Sequence, residues 1–316
     1  MRVLVTGGAG FIGSHIVDAL FDRGDEVVVL DDLSTGSPDN LRDGVELIVG
    51  DIADPVATHA AVAGCDVVFH EAAHRAVGWS VDHPLETDRA NVVGTLTLLL
   101  AARDADVRRF VYASSSSVYG GADVRPTPET APLVPRSPYA VSKLAAEQYC
   151  RVFTELYALE TVSLRYFNVF GPRQRPDSQY AAVIPLFTQA LAEGSRPEVH
   201  ADGMQTRHFA YVADVVTANL LAADAPAEQC AGRAYNIAGT YAHTLLELLR
   251  YLDAILGTRA EPEFVGARAG DVRHSLADLS AAQRDLGYRP SVPFEDGLRY
   301  TVDWFADRRL AAVTGR

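Results

Sequence analysis

Tyr139 and Lys143 stand four residues apart in the stretch Ser137-Pro138-Tyr139-Ala140-Val141-Ser142-Lys143. Ser137 is a residue type that caps a helix N-terminus, and Pro138 suits the first helical position, where a missing N–H costs nothing. Helical spacing then puts Tyr139 and Lys143 on one face. A free tyrosine, with a pKa of about 10, is a poor base at neutral pH. An ammonium one turn away favours the phenolate and lowers that value, which predicts a proton-transfer pair working near pH 7. A surface tyrosine beside a solvated lysine has the same spacing, so the meaning of the pair depends on the elements that present it.

The N-terminal elements are informative. Residues 2–6, Arg-Val-Leu-Val-Thr, predict a strand, and Gly7, Gly10 and Gly13 follow it directly. A helical pattern runs over 11–23, Gly24-Asp25 breaks it, and the apolar run 27–30 ends in Asp31-Asp32. Strand, glycine turn, helix, strand and acid in this order form a dinucleotide site. The glycines let backbone N–H groups approach a pyrophosphate, which then faces the helix N-terminus. Asp31 can accept hydrogen bonds from the adenosine ribose and would repel a 2′-phosphate, which selects NAD over NADP.

The alternation continues. Strands are expected over 46–49, ending at Gly50-Asp51-Ile52, and over 67–70, ending in Glu71-Ala72-Ala73. A helix fits 91–103, a buried strand 109–113, a proline-rich loop 123–138, a helix 139–157 and a strand 161–166. This predicts an α/β fold, a Rossmann-type doubly wound parallel sheet with right-handed crossovers. Ligands in such sheets sit at the carboxyl ends of the strands, which singles out Asp31, Asp51, Ala72, Ala73, Ser115 and Asn168. After Gly171-Pro172 the pattern becomes polar and broken, with helices near 184–193, 212–223, 244–256, 280–286 and 294–305 and a short strand at 235–237. We therefore expect an NAD-binding domain over 1–170. A smaller mixed α/β substrate-binding lobe over 171–316 returns to the sheet near 209–237.

Composition narrows the function classes. The 316 residues are 48% hydrophobic and 22% charged, as in a globular protein. The formal net charge of −13 lacks the basic footprint that nucleic acid or an anionic membrane requires. Cys65, Cys150 and Cys230 form neither a disulfide framework nor a metal motif, which predicts a reducing cytoplasm. The opening Met1-Arg2-Val3-Leu4-Val5 is too short an apolar run for a signal peptide, and no run of about 18 apolar residues predicts a membrane span. His74, Trp79 and His83 do not have metal-ligand spacing, so no metal is expected.

With these motifs in hand, the chain resembles the extended short-chain dehydrogenase/reductases. The resemblance rests on Thr6-Gly7-Gly8-Ala9-Gly10-Phe11-Ile12-Gly13, the serines before Val118-Tyr119-Gly120, Tyr139 with Lys143, and Arg165-Tyr166-Phe167-Asn168. Ala76-Val77-Gly78-Trp79-Ser80, Pro84-Leu85-Glu86 and Asn91-Val92-Val93-Gly94-Thr95 are similar to the UDP-galactose 4-epimerase group of that superfamily. The resemblance implies that Tyr139 takes the proton from a sugar 4-hydroxyl while hydride passes from C4 to NAD. Lys143 would tune Tyr139 and hold the nicotinamide ribose, and Ser115 would bond the 4-oxygen. The 4-keto sugar would rotate and take hydride back on its other face. The implied cofactor residues are Gly7, Gly10, Phe11, Ile12, Gly13, Asp31, Asp32, Asp51, Ile52, Ala72, Ala73, Arg75, Asn91, Ser114 and Tyr166, with Tyr139 and Lys143. Arg75 departs from the lysine or other polar residue usual there. The implied substrate residues are Ser115, Ser116, Tyr139, Asn168, Val183, Arg207, Arg268 and Asp271. The two arginines would grip the diphosphate and Asp271 the nucleoside ribose.

Relatives that eliminate water carry an Asp-Glu pair after the catalytic Ser/Thr; here Ser116 and Ser117 stand there. A serine hydroxyl cannot do that proton transfer without a base, unless another acid such as Glu71 or Asp123 substitutes. A 4-epimerase is therefore expected. The alternatives are a 4,6-dehydratase, a uronate epimerase or decarboxylase, an NDP-ketosugar reductase, or a non-catalytic NAD-binding protein. His208 replaces a usual aspartate and Ala182 a common asparagine, while Ser275, where a bulky tyrosine restricts some enzymes, leaves room for an N-acetyl group. By analogy the protein pairs helices 92–104 and 139–157 in a homodimer, although Leu98, Leu99, Val152 and Phe153 could equally pack within one subunit.

Overall fold

The computed structural model describes residues 1–175, 182–266 and 272–314, with side chains through 308. Its first six strands are β1 (Arg2–Thr6), β2 (Glu26–Asp31), β3 (Glu46–Val49), β4 (Val67–His70), β5 (Arg109–Ser115) and β6 (Glu160–Tyr166). A seventh, Arg233–Ile237, lies outside β6, and the spatial order is Arg233–Ile237, β6, β5, β4, β1, β2, β3. Every pairing in this sheet is parallel. The chain therefore crosses over between strands through helices α1 (Phe11–Asp22), α2 (Pro55–Val62), α3 (Val77–Asp82), α4 (Pro84–Asp88), α5 (Gly94–Asp104) and α6 (Pro138–Tyr157).

The strands read as continuous apolar runs because both sheet faces are covered. Val3, Val5, Val29, Phe69 and Val111 face one way, against α1 and the helix Val212–Asp224. Leu4, Val28, Val68, Phe110 and Tyr112 face the other way, against α2, α5 and α6. The later residues build a separate apolar cluster from Phe170, Ile184, Phe187, Val199, Phe209, Leu248 and Leu298. Leu98, Leu99 and Phe153 lie in the cluster beneath α5 and α6, so they pack within the subunit.

Helix α6 starts as its sequence dictates: the Ser137 side chain accepts the Ala140 N–H at 3.1 Å, and Pro138 follows at the first position. Its inward face carries Ala140, Lys143, Ala146, Glu147, Cys150 and Phe153. A buried network fastens this face to the sheet. Arg165 of β6 donates from Nη2 to Glu147 Oε1 at 2.6 Å and from Nε to Oε2 at 3.0 Å. Ser114 donates to the same Oε2 at 2.7 Å, and Arg165 also reaches the Tyr119 hydroxyl, which donates to Asn236 on the outermost strand.

The periodicity reading missed α2, α3 and α4. They are short, and the prolines that open α2 and α4 look like breakers in sequence although they sit at the first helical position. The expected helix over 91–103 begins instead as a π-helical turn, Arg89–Val93, before α5. The last helix runs beyond 305, as Phe294–Thr314.

The Arg165–Glu147 pair has side chains only 5% exposed on both partners. Glu147→Leu leaves a buried guanidinium unpaired and should cost about 3–5 kcal/mol, read as a lower denaturant midpoint with an unchanged slope. A loss below about 1 kcal/mol would mean that solvent reaches the arginine.

Candidate active site

The glycine turn sets the cleft. Gly7 has φ +67, and a Cβ there would lie 2.7 Å from the Ala72 backbone nitrogen, so only glycine lets β1 end beside β4. The Gly10 N–H bonds Gly7 O at 3.0 Å, and α1 starts at once without a side-chain cap. Its first N–H groups therefore point into the cleft with no intrahelical partner. At the end of β2, Asp31 accepts the Ala9 N–H at 3.0 Å and the Leu33 N–H at 2.8 Å. Burial raises its carboxyl above the usual range, and these two donors work against that rise.

One cleft is lined by Gly7, Gly10, Phe11, Ile12, Gly13, Asp31, Asp32, Asp51, Ile52, Ala72, Ala73 and Arg75. These are twelve of the expected cofactor residues. An N–H-rich helix end at one position and a carboxylate at the end of the next strand fit a pyrophosphate and a ribose. Ser34, Thr35, Glu71 and His74 also line the cleft and were not singled out for it. Glu71 had a signal, since it directly precedes Ala72-Ala73 at a strand's carboxyl end.

Other expected cofactor residues hold the cleft rather than lining it. Ser114 spends its hydroxyl on Glu147. Asn91, only 1% exposed, accepts the His74 N–H at 2.8 Å and donates to His74 O at 3.0 Å and to Ser142 Oγ at 2.9 Å. Both amide protons are thus spent within the protein, and the side chain pins the loop that carries His74. Tyr166 donates its hydroxyl to Glu71 at 2.7 Å and accepts from Asn219 at 2.7 Å.

A relay through His70 joins these pieces. Thr95 donates to Asn91 O at 2.6 Å, so it must accept from His70 Nε2 at 2.8 Å. His70 Nδ1 then accepts from Thr6 Oγ1 at 2.7 Å, and Thr6 accepts the Ala72 N–H at 3.3 Å. Burial, aided by the Lys143 charge, lowers the imidazole to about 3.

Tyr139 is not among the residues lining this cleft, but Glu71 and Arg75, which line it, act on its phenol. The Tyr139 N–H donates to Ser80 Oγ at 3.1 Å, and its carbonyl accepts from Ser142 Oγ at 2.8 Å. Burial raises the phenol above its usual range, a hydrogen bond with Ser115 and the Arg75 charge lower it, and the Glu71 carboxylate raises it. Lys143, 4% exposed, donates to Ala113 O at 2.7 Å and lies over the Tyr112 ring at 5.1 Å, and Arg75 is a further cation whose charge favours the phenolate.

Ser115 Oγ accepts the Ser117 hydroxyl at 2.9 Å and the Ser117 N–H at 3.2 Å. Ser116 is half-buried in the turn that follows. Asn168 is exposed and donates to His208 O at 3.1 Å, Val183 opens the helix Val183–Ala192, and Arg207 is half-buried. Ser275 donates its N–H to Thr206 O at 3.1 Å, next to Arg207. His208 is buried and accepts the Ala277 N–H on Nδ1, so its departure from the usual aspartate is absorbed inside the lobe. Arg268 and Asp271 lie outside the described residues. Among the described residues no three His, Cys, Asp or Glu side chains are grouped to hold a metal.

Residues 3–238 match the NAD dependent epimerase/dehydratase family. A UDP-glucose 4-epimerase of Mycolicibacterium smegmatis is 40% identical over 98% of this chain and 99% of its own. The solved UDP-N-acetylglucosamine 4-epimerase of Methanobrevibacter ruminantium superposes with a TM-score of 0.93 at 38% identity, covering 97% of this chain and 98% of that one. The dTDP-glucose 4,6-dehydratase DesIV of Streptomyces venezuelae, solved with NAD bound, gives 0.90 at 36% identity over 98% of both chains.

Gly7→Ala pushes a Cβ into the Ala72 backbone in a conformation that L side chains rarely adopt. The purified variant should carry at least about tenfold less dinucleotide, measured by chromatography of the released nucleotide. Normal content would mean that the turn does not form the cradle.

Proposed function

The chain belongs to the NAD dependent epimerase/dehydratase family, and from that membership we propose that it is a UDP-hexose 4-epimerase. The observation that carries this choice is the Ser115–Ser117 pair: Ser117 donates its hydroxyl to Ser115, where an elimination needs an acid. Asp123 is exposed on its loop, and Glu71 is bonded to Tyr166, so neither stands in as that acid.

In this reading the Gly7–Gly13 turn and the α1 N-terminus hold the NAD pyrophosphate and Asp31 its adenosine ribose. Lys143 keeps two ammonium protons beyond its bond to Ala113 for the nicotinamide ribose. Bound NAD supplies the reversible hydride acceptor that inversion at C4 requires. Tyr139 takes the proton from the 4-hydroxyl and returns it, and Ser115 steadies the 4-oxygen as its charge changes. Arg75 favours the phenolate against the cost of burial. Arg207, Asn168 and Val183 contact the nucleotide sugar from the lobe, together with Arg268 and Asp271.

The same reading makes residues 1–170 the cofactor part and residues 171–316 the substrate part. It makes the protein a cytoplasmic homodimer. Val141, Tyr149, Leu156 and Tyr157 on α6 are exposed apolar side chains suited to a partner helix. Free, buried Cys65, Cys150 and Cys230 suit a reducing compartment. Among the described residues no helix is long and apolar enough to cross a membrane.

Incubation with UDP-galactose or UDP-glucose, without added NAD, should give the C4 epimer by NMR; loss of water or carbon dioxide would favour the lyase readings instead. Ser275 leaves space beside C2, so UDP-N-acetylglucosamine should also turn over, and its failure both to bind and to react would show that the space is closed. Tyr139→Phe should lower turnover by roughly 10²–10⁴ while NAD content stays unchanged. Near-normal turnover would remove Tyr139 from the chemistry.

A further inference from the structure

Glu71 is an ionisable side chain in the cleft that the proposed chemistry leaves unused. It follows β4 directly, and its Oε1 accepts the Tyr166 hydroxyl at 2.7 Å. Asn219, from the helix Val212–Asp224, donates to the same hydroxyl at 2.7 Å, so the tyrosine's own proton is committed to Glu71. The carboxylate thus reaches from β4 across β5 to β6. Lys143 arrives from α6 and bonds Ala113 O, one residue beyond Tyr112, the register partner of His70. The Lys143 ammonium is thus held one position beyond the His70–Tyr112 pair, level with Glu71, and the two charges act on each other.

We propose that Glu71, fixed by Tyr166 and Asn219, is a positioning residue that sets the ionisation of the Tyr139–Lys143 pair from within the cleft. This rests on the reading of Tyr139 as the proton-transfer group. The groups acting on Glu71 or on this pair are Lys143, Tyr139 and Cys150 from α6, Tyr166 from β6, Tyr112 from β5, and His70 and Arg75 from the segment of Glu71 itself; burial keeps the Cys150 thiol protonated. Burial raises the Tyr112 and Tyr166 phenols well above their usual range and lowers His70 to about 3, so these three stay neutral near pH 7. Arg75 stays cationic throughout. What can titrate is Glu71, Lys143 and Tyr139. Burial pushes Glu71 up and Lys143 down, and their mutual attraction opposes both movements. The Glu71 carboxylate also raises Tyr139. A carboxylate here thus keeps the lysine charged and holds back the phenolate, so a substrate hydroxyl can displace the balance in either direction.

The signs make a test. Glu71→Gln removes one negative charge, so the phenol and the ammonium both lose protons at lower pH. Turnover needs the phenolate and the ammonium together, so both limbs of its pH profile should move to lower pH. A side chain that only fills space would lower turnover without moving either limb. A second readout needs no substrate: ultraviolet titration of the NAD-loaded protein minus its Tyr139→Phe counterpart isolates this one phenol. Its apparent pKa should fall by about half a unit or more in the Glu71→Gln background. Tyr166→Phe keeps the carboxylate but removes its donor; where the phenol titrates, that carboxylate is ionised either way, so here the phenol should stay put. A phenol titration that stays put or moves upward in Glu71→Gln overturns the proposal. If Glu71→Gln does not fold, by thermal melting, Glu71→Leu removes the same charge and decides by the same titration. Absence of epimerisation by the unaltered protein would overturn the proposed function instead, and the titration would still decide the role of Glu71.

Discussion

Between β1 and α5, an uncharged imidazole bridges two threonine hydroxyls, and the geometry of the cleft depends on it. Each donor in the chain from the Ala72 N–H through Thr6, His70 and Thr95 to the Asn91 carbonyl has one acceptor. A second proton on the ring would set its Nδ1–H against the Thr6 hydroxyl proton, and Thr6, His70 and Thr95 are all buried. Burial prevents it by holding the imidazole at about 3. In a low-dielectric interior such a fully satisfied relay is stiff, while one unpaired member would be costly.

The stiffness is transmitted to Tyr139 and to the loop beside it. Asn91 links the relay to the loop that carries His74 and Arg75 and, through Ser142, to the carbonyl of Tyr139. Ser80 accepts the N–H of the same residue. The glycine motif, the arginine that favours the phenolate and the phenol itself are thereby placed relative to one another by short polar contacts. Asn91 is the buried residue of the π-helical turn at Arg89–Val93, an irregularity of a kind that often marks functional positions.

Much of the framework was readable from residue order. Apolar runs of four to seven residues gave the strands, and Gly7, Gly10, Gly13 and Asp31 gave the cleft, because each acts through local backbone geometry. The short helices α2–α4 were not readable: they have too few turns for a periodic signal, and Asp54 and Pro55 look like a turn until the cap is seen. Ser114 and Asn91 illustrate a different limit. Their chemistry suits a ligand contact, but alternation along β5 turns Ser114 toward α6, and a helical irregularity buries Asn91. Spacing of four residues places Lys143 on the face of Tyr139 but does not say where a long flexible side chain ends, and here it ends on Ala113.

The strand Arg233–Ile237 belongs by sequence to the second half of the chain and by hydrogen bonding to the first, and Phe167 bonds back to Ile237 immediately before the lobe begins. The polypeptide thus leaves the sheet, builds the covering part and comes home to close the edge. A part threaded in this way cannot be exchanged as a cassette, because removing it strips the sheet of its margin and uncovers β6. Divergence toward other sugars must then proceed by altering individual side chains on a retained scaffold. This accounts for how chains of equal length and superposable backbone come to run different reactions.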